Sequence, residues 1–265
     1  MSITAQELAN LMPDATELES NEPEMESSLH YLQLALLVSC LEWLWRDRDD
    51  FFIGANLTVY FSREQLKNKD FRGPDFFLAT PTQKRPRRSW VVWEEGGQYP
   101  ELIIELLSES TARVDRTLKK ALYQDRFRTP EYFWFSPETL EFEGYRLVNR
   151  HYEPIAADHS GRLWSEVLGL YLGEHQGNLR YFFENGELVP TLQEATAAAL
   201  SDARQAQSEV ECAQLEAQQA KLRANLEVQQ AQSEAQQAQS EAQQAKLQAD
   251  RLRSQLEALG IDPEL

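Results

Sequence analysis

A carboxylate set inside an apolar run constrains this chain more than any other feature. Residues 102–107 read LIIELL, apolar throughout except for Glu105. A short run of this kind predicts a strand covered on both faces, as in α/β proteins. A carboxylate in such a strand is costly unless a cation, a metal or a proton donor meets it. The strand belongs to a longer unit, Pro100 to Pro137, that reads as strand, polar turn, helix and second strand. On the helix, at about 100° per residue, Val114, Leu118, Ala121 and Leu122 share one stripe, which predicts its buried face. Lys119 lies at the edge of that stripe and Lys120 points nearly the opposite way. Asp115, Lys119 and Tyr123 are spaced i, i+4, i+8 along one flank. A lysine at the border of a buried face can turn its ammonium inward, so Lys119 is the expected partner of Glu105.

The rest of the chain supplies the surroundings. It has 265 residues, 42% of them hydrophobic and six of them tryptophan, enough for one ordinary domain plus an extension. Residues 1–24, acidic and carrying Pro13 and Pro23, read as a flexible acidic arm. From about Glu26 to Trp45 the pattern is helical, with Leu29, Leu32, Leu36 and Leu37 on one face. Strands are expected around Phe51–Ile53 and Leu57–Phe61, in GPDFFLAT (with Asp75 at its first position) and in SWVVWEE, with KRPRR as a loop. EYFWFSP reads as a strand with LEFEGYRL as its antiparallel neighbour. Trp164 to Val189 reads as two more strands joined by Gly-Asn and Asn-Gly turns. The compact α/β domain spans 25–192 on this reading.

Beyond it, 193–265 turns to Ala, Gln, Glu and Ser. Apolar residues recur from Ala199 to Ala224 at alternating spacings of four and three. They resume at Val228 and run to Leu259, with one extra residue at the break. That is a heptad seam with a single skip, on a helix roughly 90 Å long at ~1.5 Å per residue. Alanine buries little surface, so a weak coiled coil is expected, the alternative being a single exposed helix. Self-association as a homodimer or higher homo-oligomer follows from the seam.

The net charge of −17 argues against a general nucleic-acid-coating protein. The charge is uneven, however: Lys84, Arg85, Arg87 and Arg88 share one loop, and residues 113–128 carry six basic side chains against two acids. Two cysteines, no signal-peptide pattern and no apolar run long enough to span a bilayer fit a cytoplasmic protein without membrane contact. The histidines at 30, 151, 159 and 175 lack metal-ligand spacing and read as structural.

Asp75, Glu105 and Lys119 form an acidic pair plus a lysine on neighbouring elements. Two converging carboxylates repel, and a hard divalent cation such as Mg²⁺ or Mn²⁺ relieves that repulsion. Bound, it would activate water and stabilise a phosphoryl oxygen, chemistry suited to phosphodiester hydrolysis. An ion pair between Glu105 and Lys119 without catalysis explains much of the same pattern.

GPDFFLAT, PELIIELLSEST, DRTLKKALY and TPEYFWFSP, in that order and spacing, resemble the Uma-two family of restriction-endonuclease-like proteins in the PD-(D/E)XK nuclease superfamily. The resemblance covers roughly residues 25–175. It implies a mixed sheet flanked by helices and a metal-dependent endonuclease acting on DNA, with Asp75 as the first acid and Glu105 as the second. The lysine usual two residues after the second acid is absent, since that position is Leu107; on the resemblance its place is taken by Lys119. Glu26 matches the acid that some members of the superfamily carry on the first helix. Where the family commonly reads Ser-Pro-Ser-Thr, this chain has Ser108-Glu109-Ser110-Thr111. The competing reading is an inactive nuclease fold that works as a binding or assembly module through its coiled coil.

Overall fold

A computed structural model describes residues 4, 7, 15, 18–22, 25, 27–62, 65 and 73–258 of the chain. By packing, the chain divides into two units, residues 1–196 and 197–265.

The first unit is built on a six-stranded mixed sheet. Its strands are β1 (Phe52–Ala55), β3 (Phe76–Ala79), β5 (Leu102–Leu106), β6 (Glu131–Phe135), β7 (Phe142–Val148) and β8 (His151–Pro154), neighbours in that order. Only β5 and β6 run parallel; every other neighbouring pair is antiparallel. A parallel pair needs a crossover, and residues 112–127 provide it as helix α2. Strand β2 (Val59–Tyr60) pairs in parallel with β4 (Trp90–Val91). The antiparallel strands β9 (Leu163–Ser165), β10 (Leu170–His175) and β11 (Asn178–Phe182) make a third sheet, where sequence had suggested two strands. Gln176 and Gly177, both with positive φ (52° and 79°), form the two-residue turn joining β10 to β11.

Every residue of β5 and β6 is buried, as the continuous apolar run of β5 predicts. Alternation sends Leu102, Ile104 and Leu106 to one face of the sheet, where they meet Leu34, Leu37 and Leu41 of α1 (Ser28–Leu44) and Leu172 and Tyr181 of the small sheet. Ile103, Glu105 and Leu107 take the other face, where Phe77, Tyr123, Phe127, Tyr132 and Trp134 gather. Gly54 lies opposite Phe77, and a Cβ there would stand 2.0 Å from the ring. The phenyl ring occupies the space that glycine leaves.

Both helix faces differ from the pattern reading. On α1, Leu29 and Leu32 are 50% and 60% exposed, and the buried face runs through His30, Gln33, Leu34, Leu37, Cys40 and Leu41. So much of this helix is apolar that periodicity could not choose a face, and two polar side chains settled it. Gln33 exchanges two hydrogen bonds with the Leu179 main chain (3.0 and 2.9 Å). His30 Nε2 donates to the Leu107 carbonyl at 3.1 Å, the only role open to it against an oxygen that can only accept. Helix α2 also departs: Val114 and Leu118 are 41% and 70% exposed, while Asp115, Tyr123 and Phe127 are buried.

The N-terminal stretch is not uniformly loose. Ala15 is 2% exposed and packs with Tyr60, Val91 and Trp93. The Ser20 amide donates to the Arg88 carbonyl, and the Asn21 amide to the Thr58 hydroxyl. Main-chain polar groups around residue 20 thus find partners on the β2–β4 edge, which fixes residues 18–22 there.

The second unit is the body of helix α3 (Leu192–Ala258, 67 residues), none of it buried. The helix opens with a reciprocal cap, the Thr191 amide donating to Glu194 and the Glu194 amide to the Thr191 hydroxyl. Its first turn, to Thr196, belongs to the first unit. Leu259, the last seam position, lies outside the described residues. No helix among the described residues is long and apolar enough to cross a membrane.

Candidate active site

The register of β3 against β5 (Phe76 with Ile104) carries one step further to set Asp75 opposite Glu105. Directly opposed residues of an antiparallel pair point to the same face, here the face covered by α2. The two acids are also tied through the main chain. The Asp75 amide donates to Glu105 Oε2 (3.3 Å), and the Leu106 amide donates to Asp75 Oδ2 (2.7 Å). The Asp75 carbonyl in turn accepts from the Asn56 amide at 2.7 Å, so strand pairing on both sides fixes the position of Asp75.

Helix α2 delivers the cation. It begins at the Ser108–Thr111 turn, where the Ser108 hydroxyl accepts from the Thr111 amide. It then runs through Ala112–Val114, a wide π-helical stretch Asp115–Lys119, Lys120–Leu122 and a second one, Tyr123–Phe127. The i+4 spacing of Asp115, Lys119, Tyr123 and Phe127 makes the inward face, with Lys119 reaching Glu105 Oε2 at 3.0 Å and Asp115 Oδ1 at 2.9 Å. The Tyr123 hydroxyl donates to Glu105 Oε1 at 2.7 Å, and the Tyr132 hydroxyl donates to the Asp115 carbonyl. Helical spacing therefore places all four residues, and the face they make joins a buried ion pair, Asp115 and Lys119, to two buried aromatic rings, Tyr123 and Phe127. The π turns set this face inward at the expense of Val114 and Leu118.

Glu105 is completely buried, Asp115 is 1% exposed and the Lys119 side chain 12%. Burial pushes the Glu105 carboxyl well above the ordinary glutamate range; Lys119 opposes this, while Asp115 and Asp75 add to it. Burial likewise raises Asp115 against the pull of Lys119. Burial alone would lower Lys119, but Glu105, Asp115 and Asp75 together outweigh it and hold the ammonium charged. Three carboxylates against one ammonium leave a formal charge of −2 when all are ionised, and for Glu105 and Asp115 the like charges add to a rise that burial already sets. The Tyr123 phenol, pushed well above its usual range by burial and then by Glu105, stays a donor.

The sequence reading brought Asp75, Glu105 and Lys119 together, and they are together. It missed Asp115 as the second anchor of Lys119 and Tyr123 as the donor to Glu105. The i, i+4, i+8 spacing was the available signal. Glu26 lies outside the described residues.

The basic loop at 84–88 is already engaged. Arg87, its side chain 3% exposed, bonds Glu95 at 2.6 Å and lies over the rings of Phe52 and Trp90. Arg85 pairs with Glu95, Lys84 with Glu42 and Arg88 with Glu19. Each of these four cations thus has an acidic neighbour, but only Arg87 is buried, and Arg85 and Arg88 stay 49% and 60% exposed. On α2, Lys120 sits over the Tyr145 ring at 3.2 Å and Arg116 pairs with Glu141.

Asp75 and Glu105 are the oxygen donors here that could hold a hard divalent cation. Among the described residues no group of three His, Cys, Asp or Glu side chains forms a ready cage. Mg²⁺ retains several waters and takes only one or two carboxylates, so a pair such as Asp75 and Glu105 would be enough for it.

No curated protein matches the chain. Among solved structures, a "putative nuclease belonging to DUF820 from Anabaena variabilis ATCC 29413" is similar over 63% of this chain and 91% of that one, at 15% identity and a TM-score of 0.40. The sequence model of the Uma2 family, described as "Putative restriction endonuclease", matches residues 15–173. That span is more than half of the 265 residues, and the chain belongs to the Uma2 family.

Proposed function

We propose that the first unit is a metal-dependent endonuclease that hydrolyses phosphodiester bonds of DNA at Asp75, Glu105 and Lys119. The observation that carries the reading is the Lys119 ammonium 3.0 Å from a buried Glu105, with Asp75 at the opposing register position. Asp75 and Glu105 would hold Mg²⁺ or Mn²⁺, which when bound lowers the pKa of its water and stabilises charge on the phosphoryl oxygen. Lys119, clamped between Glu105 and Asp115, offers a charge fixed in place, which orients an attacking water or offsets charge at phosphorus without reorganisation. Tyr123 keeps the Glu105 carboxylate in one rotamer. The two free cysteines support a cytoplasmic setting, and α3 is proposed to join copies of the chain.

One observation favours a second reading, an inactive nuclease fold serving assembly. Both Glu105 oxygens are already engaged, Oε1 by Tyr123 and Oε2 by Lys119 and the Asp75 amide, so the ion network is nearly complete without a metal. Mn²⁺ titration followed by its electron paramagnetic resonance, paired with cleavage of duplex DNA, separates the two. The active reading expects millimolar or tighter binding and cleavage, with Asp75→Asn losing both at unchanged thermal stability. No Mn²⁺ bound by the wild-type protein, and no cleavage, establishes the second reading.

A further inference from the structure

No residue of α3 is buried in a single chain, and its seam residues Val210, Val228 and Leu252 are 56%, 55% and 59% exposed. What could cover that seam is written in the charges beside it. In heptad terms the two seam positions are a and d, with g just before each a and e just after each d. The g positions carry Asp202, Glu209, Glu216, Glu227, Glu234 and Glu241, with Arg223 the one base. The charged e positions are Lys221, Lys246 and Arg253, with no acid among them. One flank of the seam is thus acidic and the other is basic or neutral.

That separation selects a partner and a direction. In a parallel pair, each g residue faces the e residue five positions further along the other helix; in an antiparallel pair, g faces g and e faces e. Antiparallel pairing would set acid against acid along one flank and base against base along the other. Parallel pairing sets Glu216 against Lys221 of the second copy, and Glu241 against its Lys246. Asp202, Glu209, Glu227 and Glu234 then each face a glutamine, at 207, 214, 232 and 239. No like charges meet. The extra residue between Ala224 and Val228 adds a register condition, because a staggered parallel pair could match the seam on only one side of it.

We propose that α3 binds α3 of a second copy of this chain, parallel and in register, through the seam from Ala199 to Leu256. The small alanines let the two backbones approach closely, and the flanking charges supply the orientation that so slight an apolar seam cannot. A parallel pair holds both Leu192 ends at one end of the rod. The use of this arrangement rests on the nuclease reading: two sites would be carried to one duplex.

The test uses full-length protein without DNA, so its outcome is independent of whether the chain cuts DNA. Two variants reverse opposite flanks, Glu216→Lys with Glu241→Lys in one, and Lys221→Glu with Lys246→Glu in the other. Each alone is expected to weaken self-association in sedimentation equilibrium by on the order of a hundredfold, since paired charges become like charges on both sides of the dimer. An equimolar mixture should recover association as a heterodimer. A wild-type chain that stays monomeric at tens of micromolar overturns the proposal, as does a mixture that fails to recover. Leu215→Gln with Leu222→Gln probes the opposite side of the helix, where those leucines are 56% and 63% exposed; loss of association there would assign the interface to the leucine face and overturn the seam.

Discussion

At Lys119 one ammonium answers two buried carboxylates, Glu105 and Asp115, at 3.0 and 2.9 Å. Its removal therefore has consequences beyond catalysis. In Lys119→Met, Glu105 and Asp115 lose the interaction that opposes their burial, and both carboxyls rise further. A carboxyl raised in the folded state binds more protons there than in the unfolded chain. Stability then falls as pH climbs from the unfolded value, about 4, through the raised folded values. The variant is expected to lose about 3–5 kcal/mol at pH 7 and to regain much of it near pH 5. Urea unfolding at the two pH values measures this, and a loss independent of pH would show that the acids do not depend on Lys119.

At the level of elements, the start of α3 is fastened to β11 by one side chain. Arg180, on β11 and 6% exposed, bonds both Glu194 oxygens (3.1 and 2.7 Å) and the Val189 carbonyl. The Arg180 hydrogen bonds, helped by the Thr191 amide, hold the Glu194 carboxyl down at about 2. A depressed carboxyl contributes stability that is complete above its unfolded value, about 4.3, and is lost as pH falls through 2. Glu194→Gln should flatten the acid limb of the unfolding profile between pH 4.5 and 2. Glu194 is 47% exposed, so solvent screening limits the effect to under about 1 kcal/mol at neutral pH. An acid limb identical to wild type would show that the pair does not secure the helix start.

For the whole molecule, packing divides the chain after Thr196, a few residues beyond the change of composition near Leu192. A chain ending at 192 would discard Glu194, while one ending at 196 keeps the cap and the Arg180 contact. The 1–196 fragment is expected to melt within about 2 °C of the full-length first unit and to run as a monomer, its partner helix gone. The 1–192 fragment should melt lower by about 2–3 °C, since it leaves the buried Arg180 guanidinium without Glu194 at a cost of under about 1 kcal/mol. Calorimetry and sedimentation of both fragments decide it, and a 1–196 fragment that still self-associates would place the interface on the first unit.

What the amino-acid order determined unaided is the set of features carried by strong local patterns. The buried strand around Glu105, its parallel neighbour, the crossover helix and the 67-residue α3 were all legible, because unbroken apolar runs and alanine propensity admit few alternatives. Lys119 as the partner of Glu105 was legible too, because a buried charge demands one. Tertiary structure alone decided which way each helix faces. On α1 apolar residues occupy twelve of seventeen positions and fall on every side, so the face followed from where Gln33 and His30 find main-chain partners on β11 and after β5. On α2 the requirement to neutralise Glu105 overrode the apolar stripe, leaving Leu118 in solvent and drawing Asp115, Lys119 and Tyr123 inward. Satisfying a buried charge or amide is worth more than covering one more leucine, and the partners that satisfy it lie far away in sequence.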